Sequence, residues 1–371
     1  MLKNKNKGIT LVALVITIII LLILAGISIS ALTNTGIFGK AKDAKQKSAN
    51  AELDQNTKLD SYEEEISNYL PQDVKQAIKK GKPLSTDKNT EIVDEKGNKI
   101  VIPAGFKVTG DATTVDKGIV IEDATVDKDG KPTATAGSQF VWVPVGEITK
   151  ADGTKTKIKL NRYTFASDET PTEKNEEALG DDFKELATSN RGNIVAKNIT
   201  NFKNSVNANG GYYICRYEAR ENATSGKLTE VYSDSVWNNI TQPSAATQAR
   251  NMYDEQQPFT SDLMNSYAWD TAITFIQKCT DKTNYANQNS LNTSFLSTGT
   301  TNDNPCNIFD MASNVCEWTT ETCRLILDTM PGLSFFPCVS RGGSCTSIRS
   351  FNDASNSGIN IGFRPLLYVN V

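Results

Sequence analysis

Two hydrophobic patterns follow one another at the start of the chain. Residues Ile9 to Leu32 (ITLVALVITIIILLILAGISISAL) carry no charge. As a helix rising ~1.5 Å per residue, this run would span about 36 Å, enough to cross a hydrocarbon core of roughly 30 Å. From Lys40 to about Leu70 the chain is polar but rich in helix formers. There Leu59, Tyr62, Ile66 and Tyr69 recur at spacings of three and four, which makes one apolar helical stripe. Gly36 and Gly39 interrupt the passage between the two patterns. The pattern predicts a membrane helix over 9–32 and a helical stalk over 33–70.

Beyond residue 70 the signals are those of strands. Ile92-Val93 and Ile100-Val101-Ile102 flank Asp94-Glu95-Lys96-Gly97-Asn98, a hairpin signature, and Ile119-Val120-Ile121 is another short strand. Residues 123–137, rich in Asp, Gly, Thr and Lys, read as loop. The expectation is a β-rich linker region over 71–138. From Gln139 to Val371 aromatic residues concentrate, and short strands alternate with long Asn/Ser/Thr-rich loops. No repeat at a solenoid or propeller period is visible. The fold class expected is α+β.

Composition removes much chemistry. The 371 residues include no histidine, which excludes His-liganded zinc, copper, iron and haem, and every catalytic pair built on histidine. A net charge of −4 gives no reason to expect a nucleic-acid partner. The seven cysteines (Cys215, Cys279, Cys306, Cys316, Cys323, Cys338 and Cys345) are odd in number and none form a C-x-x-C pair. They read either as disulfides of an exported domain or as buried thiols packing like small hydrophobes.

Lys3, Lys5 and Lys7 precede the apolar run and favour a cytoplasmic N-terminus with an external C-terminal domain. Lys40, Lys42, Lys45 and Lys47 follow it and weigh against that asymmetry. No small-x-small cleavage site follows a short apolar core, so an ordinary secretory signal fits poorly. Lys7-Gly8-Ile9-Thr10-Leu11 resembles a type IV prepilin leader. That resemblance implies a leader over 1–8, cleavage between Gly8 and Ile9, and pilus subunits as partners. Pilins usually carry a glutamate at the fifth mature position, and here that position is Ala13. The difference suits a minor, tip-located or merely anchored protein, and a plain single-pass anchor accounts for the hydrophobicity equally well.

Six segments stand out in the C-terminal part. They are Phe140-Val141-Trp142-Val143-Pro144-Val145, Gly210 to Glu218 (GGYYICRYE), Ala268-Trp269-Asp270-Thr271-Ala272, Asp310 to Trp318 (DMASNVCEW), Ser340-Arg341-Gly342-Gly343-Ser344 and Ile361-Gly362-Phe363-Arg364-Pro365. In this order they resemble the formylglycine-generating enzyme (sulfatase-modifying factor) family over residues 139–371. The resemblance implies a C-type-lectin-like fold: a small twisted antiparallel sheet, two helices and much irregular loop. Gly342 and Gly343 are expected in a tight turn or a close backbone approach. Arg364, beside an apolar strand, is expected to be a buried ion-pair or hydrogen-bond partner.

The family's catalytic cysteines would fall at Ser347 and Asn352, where a hydroxyl and an amide cannot supply the thiolate pair that holds copper(I). The family's iron-dependent branch needs histidine. No catalytic residues, copper or iron are therefore expected. The alternative is a divergent formylglycine-generating or related oxidase using a new thiol pair such as Cys338 with Cys345. The resemblance also implies a structural calcium ion held by the side chains of Asp310 and Glu317 and the carbonyls of Ser313 and Val315, suitably hard oxygen ligands. Cys316 and Cys345 stand where relatives carry aromatics, and by position they are a candidate disulfide.

What remains is binding. Cys345 to Asn360 (CTSIRSFNDASNSGIN) reads as a polar loop between two framework motifs, and loops on a rigid scaffold are where recognition concentrates. Thr346, Ser347, Ile348, Arg349, Phe351, Asn352 and Asn356 are the candidate contacts for a protein or glycan ligand. The arrangement resembles the variable proteins of diversity-generating retroelements, which carry a mutagenised region between such motifs. The function expected is a ligand-binding or adhesion protein anchored by a single pass in a bacterial cell membrane, its C-terminal domain outside.

Overall fold

The computed structural model describes residues 7–34, 37–67, 72–165, 171–174, 183–186, 195–221, 228–229, 235–253, 255–287, 297–323, 337–343 and 345–371. The chain divides after Leu70 into two compact units.

The first unit holds helices α1 (Lys7–Asn34) and α2 (Ile37–Ser67). Within α1, Val12–Ser30 is a 19-residue window of mean hydropathy 3.2, long and apolar enough to cross a membrane. Its Thr17 and Ser28 hydroxyls donate to the carbonyls of Ala13 and Leu24, so neither leaves an open donor on an apolar helix. The stalk forms as a helix, but it starts at Ile37, so Gly39 lies inside α2 and does not interrupt it. Of the expected stripe, Leu59 and Tyr62 are exposed; the Ile66 side chain and Tyr69 lie outside the described residues.

The second unit begins with α3 (Val74–Lys80), capped by Asp73, whose carboxylate accepts from the Gln76 amide at 2.7 Å. The expected hairpin follows, β1 (Thr90–Val93) paired antiparallel with β2 (Lys99–Ile102). Its turn is held by the buried Asp94 carboxylate, which accepts from the amides of Lys96, Asn98 and Val115, each at 2.8 Å. Next come β3 (Phe106–Thr109), β4 (Val120–Asp123), β5 (Gln139–Pro144), α4 (Ile199–Asn209), β6 (Gly211–Cys215), α5 (Gln242–Arg250), β7 (Phe259–Leu263) and α6 (Ser266–Cys279). The chain closes with β8 (Cys316–Cys323), β9 (Pro337–Gly342), β10 (Cys345–Asp353), β11 (Ile361–Phe363) and β12 (Pro365–Val369). The unit is mixed α+β.

One sheet has six strands in the order β7-β12-β6-β5-β4-β3, every pair antiparallel. Residues 71–138 are therefore no separate linker region, because β3 and β4 extend the sheet that β5 begins. The cause is aromatic packing across sequence: the Phe106 ring meets Phe140 at 5.8 Å and Phe259 at 5.5 Å, both edge-on. Helix α6 is buried on nearly every side, with Lys278 the exception, and Asn265 caps it by accepting from the Ala268 amide at 2.9 Å.

The second sheet is built on β8. On one edge β8 pairs antiparallel with β9, which pairs in turn with β10; on the other, β11 runs parallel to it and the short strand Phe183–Lys184 antiparallel. Gly342 and Gly343 turn β9 into β10 with φ of +81° and +63°. A Cβ on Gly342 would stand 2.9 Å from the Met311 carbonyl and 3.2 Å from the Trp269 ring, so both sequence readings of this pair, tight turn and close approach, hold.

Candidate functional site

Strand β8 is buried along most of its length although its sequence, CEWTTETC, is largely polar. Buried polar groups need partners, and those partners organise the unit. Trp318 donates from Nε1 to the Ile240 carbonyl at 2.9 Å, and Thr319 from its hydroxyl to the Val339 carbonyl at 2.8 Å. The two glutamates, both fully buried, each enter a charged network.

Glu317 meets Arg364, the arginine between β11 and β12, and both are fully buried. Nη2 of Arg364 lies 2.8 Å and Nε 3.1 Å from Glu317 Oε1, while the remaining donors reach the Cys215 carbonyl at 2.8 Å and the Phe309 carbonyl at 2.7 Å. One guanidinium thus ties β6, β8 and the 309 loop together, the structural role expected of Arg364. Glu218 is beside it, accepting from the Asn314 side-chain amide and, at 3.1 Å, from the Val315 amide. Burial pushes Glu218 well above the usual carboxylate value, helped by the charges of Asp310 and Glu317. Burial also raises Glu317, against the pull of Arg364.

The residues expected to hold calcium are in this same region. Asp310, at φ +65°, accepts from the Gly299 amide at 2.9 Å, from the Thr301 hydroxyl and from the Ser313 hydroxyl at 3.4 Å. Glu317 is committed to Arg364. Asp310 and Ser313 thus share a turn that leads to the ion pair of Glu317 with Arg364. Among the described residues, four of the five non-glycine residues with positive φ, Cys306, Asn307, Asp310 and Asn314, lie between 306 and 314, and the Asn and Asp among them tolerate that conformation best.

Glu321 enters the second network, with Arg162, Asp270, Arg341 and Arg349. Asp270 receives Nη2 of Arg341 at 2.8 Å, Nη2 of Arg349, and the Tyr163 amide at 2.9 Å. Glu321 receives Arg162 and, at 2.9 and 3.1 Å, Nε of Arg349. Burial alone would raise Asp270, but Arg341 and Arg349 together hold it below the usual carboxylate value. Arg349 stays firmly charged, because Asp270 and Glu321 outweigh the effect of its burial.

Half-buried Glu185 accepts from the Ser266 amide at 2.6 Å and the Thr320 hydroxyl at 2.8 Å; burial, then the charge of Glu321, pushes it up to about 7. A raised folded value means deprotonation costs the folded state more than the unfolded one. The stability that Glu185 contributes is complete below its ordinary value of 4.5 and is lost as the pH rises through about 7. Glu185→Gln should remove a fall of up to about 3 kcal/mol across that window. Urea midpoints measured at several pH values check this, and parallel curves for variant and wild type would contradict it.

The candidate ligand contacts divide along the same lines. Cys345–Asp353 is a strand, not a loop, and only 354–360 is irregular. Register with β9 overrides the polar composition: Val339 faces Phe351 and Cys338 faces Asn352. Thr346, Ser347 and Ile348 lie on β10, with side chains outside the described residues. The Arg349 side chain is 7% exposed and turned into the charged network, where it braces β10 from within. Phe351 and Asn356 are exposed, and Asn352 is half-buried. Cys316 and Cys345 both pair with Gly342 from opposite sides, so one strand lies between their backbones; the Cys345 side chain is outside the described residues. Burial pushes Cys279 up to about 12 and Cys306 well above its ordinary value, which makes both inert and suits the buried-thiol reading.

Ile359, which sequence reasoning passed over, is 62% exposed. Its signal was available: a large apolar residue between Gly358 and Asn360 in a stretch with no periodic pattern.

The chain matches no protein-family model and no curated protein. Among solved structures it is similar to one described as "Crystal Structure of CarF", at 12% identity and a TM-score of 0.33, over 62% of this chain and 98% of that one.

Proposed function

We propose that this protein is a non-catalytic binding protein anchored in a bacterial cell membrane by α1. In this reading its second unit, a C-type-lectin-like domain of the formylglycine-generating-enzyme kind, presents β10 and the 354–360 loop to a protein or glycan ligand outside the cell. One observation carries the reading. Apart from the terminal Val371, the exposed large apolar side chains described in the second unit are Val126, Phe351 and Ile359, and two of these three fall in the 345–360 segment. Exposed apolar groups on a rigid frame are what a recognition surface needs, and the buried Arg349 supports that frame from beneath.

Two further points support it. Ser347 and Asn352 stand where the resembling enzymes need thiols. Lys3, Lys5 and Lys7 favour an inside N-terminus, which leaves the second unit outside. Cleavage at Gly8-Ile9 and display on a pilus are compatible with the same anchor. Calcium enters only if Glu317 exchanges Arg364 for the ion, and metal analysis of the purified chain reads that directly. The test of the non-catalytic part is oxygen uptake by the full chain given a cysteine-containing peptide and copper. No uptake is expected; turnover abolished by Cys338→Ser would put the oxidase reading first.

A further inference from the structure

Helix α2 carries its charges in the reverse of the order a helix prefers. Lys40, Lys42, Lys45 and Lys47 occupy its first turns with Asp43 the lone acidic residue among them, whereas Asp60, Glu63, Glu64 and Glu65 occupy its last turns. The helix dipole favours the opposite placement at both ends. No carboxylate stands in the first turn and no base in the last. Among the described residues of α2, the ion pair present is Lys58 with Asp54 at 3.1 Å, well away from the four lysines, and all four are exposed. The order therefore works against the isolated helix.

We propose that these four lysines bind anionic lipid headgroups on the leaflet from which α2 emerges, an inference that rests on α1 being the membrane anchor. Lys40 follows the end of the apolar window, Ser30, by only ten residues, so the basic end of α2 is its membrane-proximal end. At ~100° per residue Lys40 and Lys47 share one side of the helix, while Lys42 and Lys45 share the opposite side. Charge surrounds the helix instead of lining one face, so headgroups can approach from every direction. Basic residues next to a membrane span are each worth about fivefold in affinity for an anionic surface.

The acidic end of a second copy is the rival partner, and the membrane disfavours it. Two chains inserted in the same sense place basic end beside basic end. Bringing unlike ends together needs an axial shift of about 28 Å at ~1.5 Å per residue, close to the full hydrocarbon thickness of ~30 Å, and would draw one α1 out of the bilayer.

The experiment uses the full chain in nanodiscs of phosphatidylcholine alone or mixed with phosphatidylglycerol. A neutral acetylating reagent is followed by peptide mass spectrometry, with exposed Lys128 as the internal control. Labelling of Lys40, Lys42, Lys45 and Lys47 is expected to slow about fivefold in the anionic discs and to recover at high salt, with Lys128 unchanged. Equal rates in the two lipids would overturn the proposal. So would slow labelling in both lipids together with carbodiimide cross-links from Lys40–Lys47 of one chain to Glu63–Glu65 of another, the sign of a second copy. A chain that fails to enter either disc removes the anchor itself, and the inference with it.

Discussion

Replacing Arg364 with methionine is expected to remove a large part of the second unit's stability. The guanidinium is fully buried and donates from Nε and Nη2 to Glu317, from Nη2 also to the Phe309 carbonyl, and from Nη1 to the Cys215 carbonyl. Removing it leaves a buried carboxylate without its counter-charge, a loss of about 3–5 kcal/mol from a total of roughly 5–15. The pH dependence identifies the cause. Arg364 is the cation that opposes the burial-driven rise of both Glu218 and Glu317. Without it both carboxylates are held further above their ordinary values, so the variant should regain stability as the pH falls and they protonate. Urea unfolding followed by the fluorescence of buried Trp142, Trp269 and Trp318 reads both effects. A loss under about 1 kcal/mol, the range of exposed ion pairs, would mean that water reaches the site.

Asp270→Asn is the second large effect. Its carboxylate neutralises Arg341 and Arg349 together and accepts from the Tyr163 amide. An amide in its place leaves buried Arg341 without its close carboxylate and Arg349 with Glu321 alone, again about 3–5 kcal/mol. Arg349→Met should cost a similar amount, because Asp270 and Glu321 then each lose a partner. Arg349→Lys should rescue little, since a single ammonium cannot bridge two carboxylates as a planar guanidinium does. Were Arg349 a ligand contact in its own right, its replacement would abolish binding with the urea midpoint unchanged. A loss of both together marks it as the brace of β10.

What the sequence reveals here follows the range of the interactions. Helices α1 and α2 and the hairpin of β1 and β2 are legible because their signals lie within a few turns or a few residues. Gly342, Gly343 and Arg364 are legible because a paired glycine and an arginine beside an apolar strand each admit few structural roles. The strand at 345–353 is not, since its composition is polar and its conformation comes from pairing with β9. The partners of Arg349 are hidden for the same reason: Asp270 and Glu321 stand 79 and 28 residues away. The placing of 71–138 within the main sheet depends on Phe106 reaching Phe140 and Phe259, a contact that no local pattern announces.

The reading turns on whether the exposed side chains of the 345–360 segment meet a ligand. The direct measurement compares cells displaying the wild-type chain with cells displaying Phe351→Ser/Ile359→Ser on glycan and extracellular-protein arrays. Both positions are exposed, so each replacement should change the unfolding free energy by no more than about 0.5 kcal/mol. Retention of the wild type on a defined set of spots, lost at least tenfold in this equally stable variant, is the expected result. Wild type and variant retained alike would place recognition elsewhere and contradict the site.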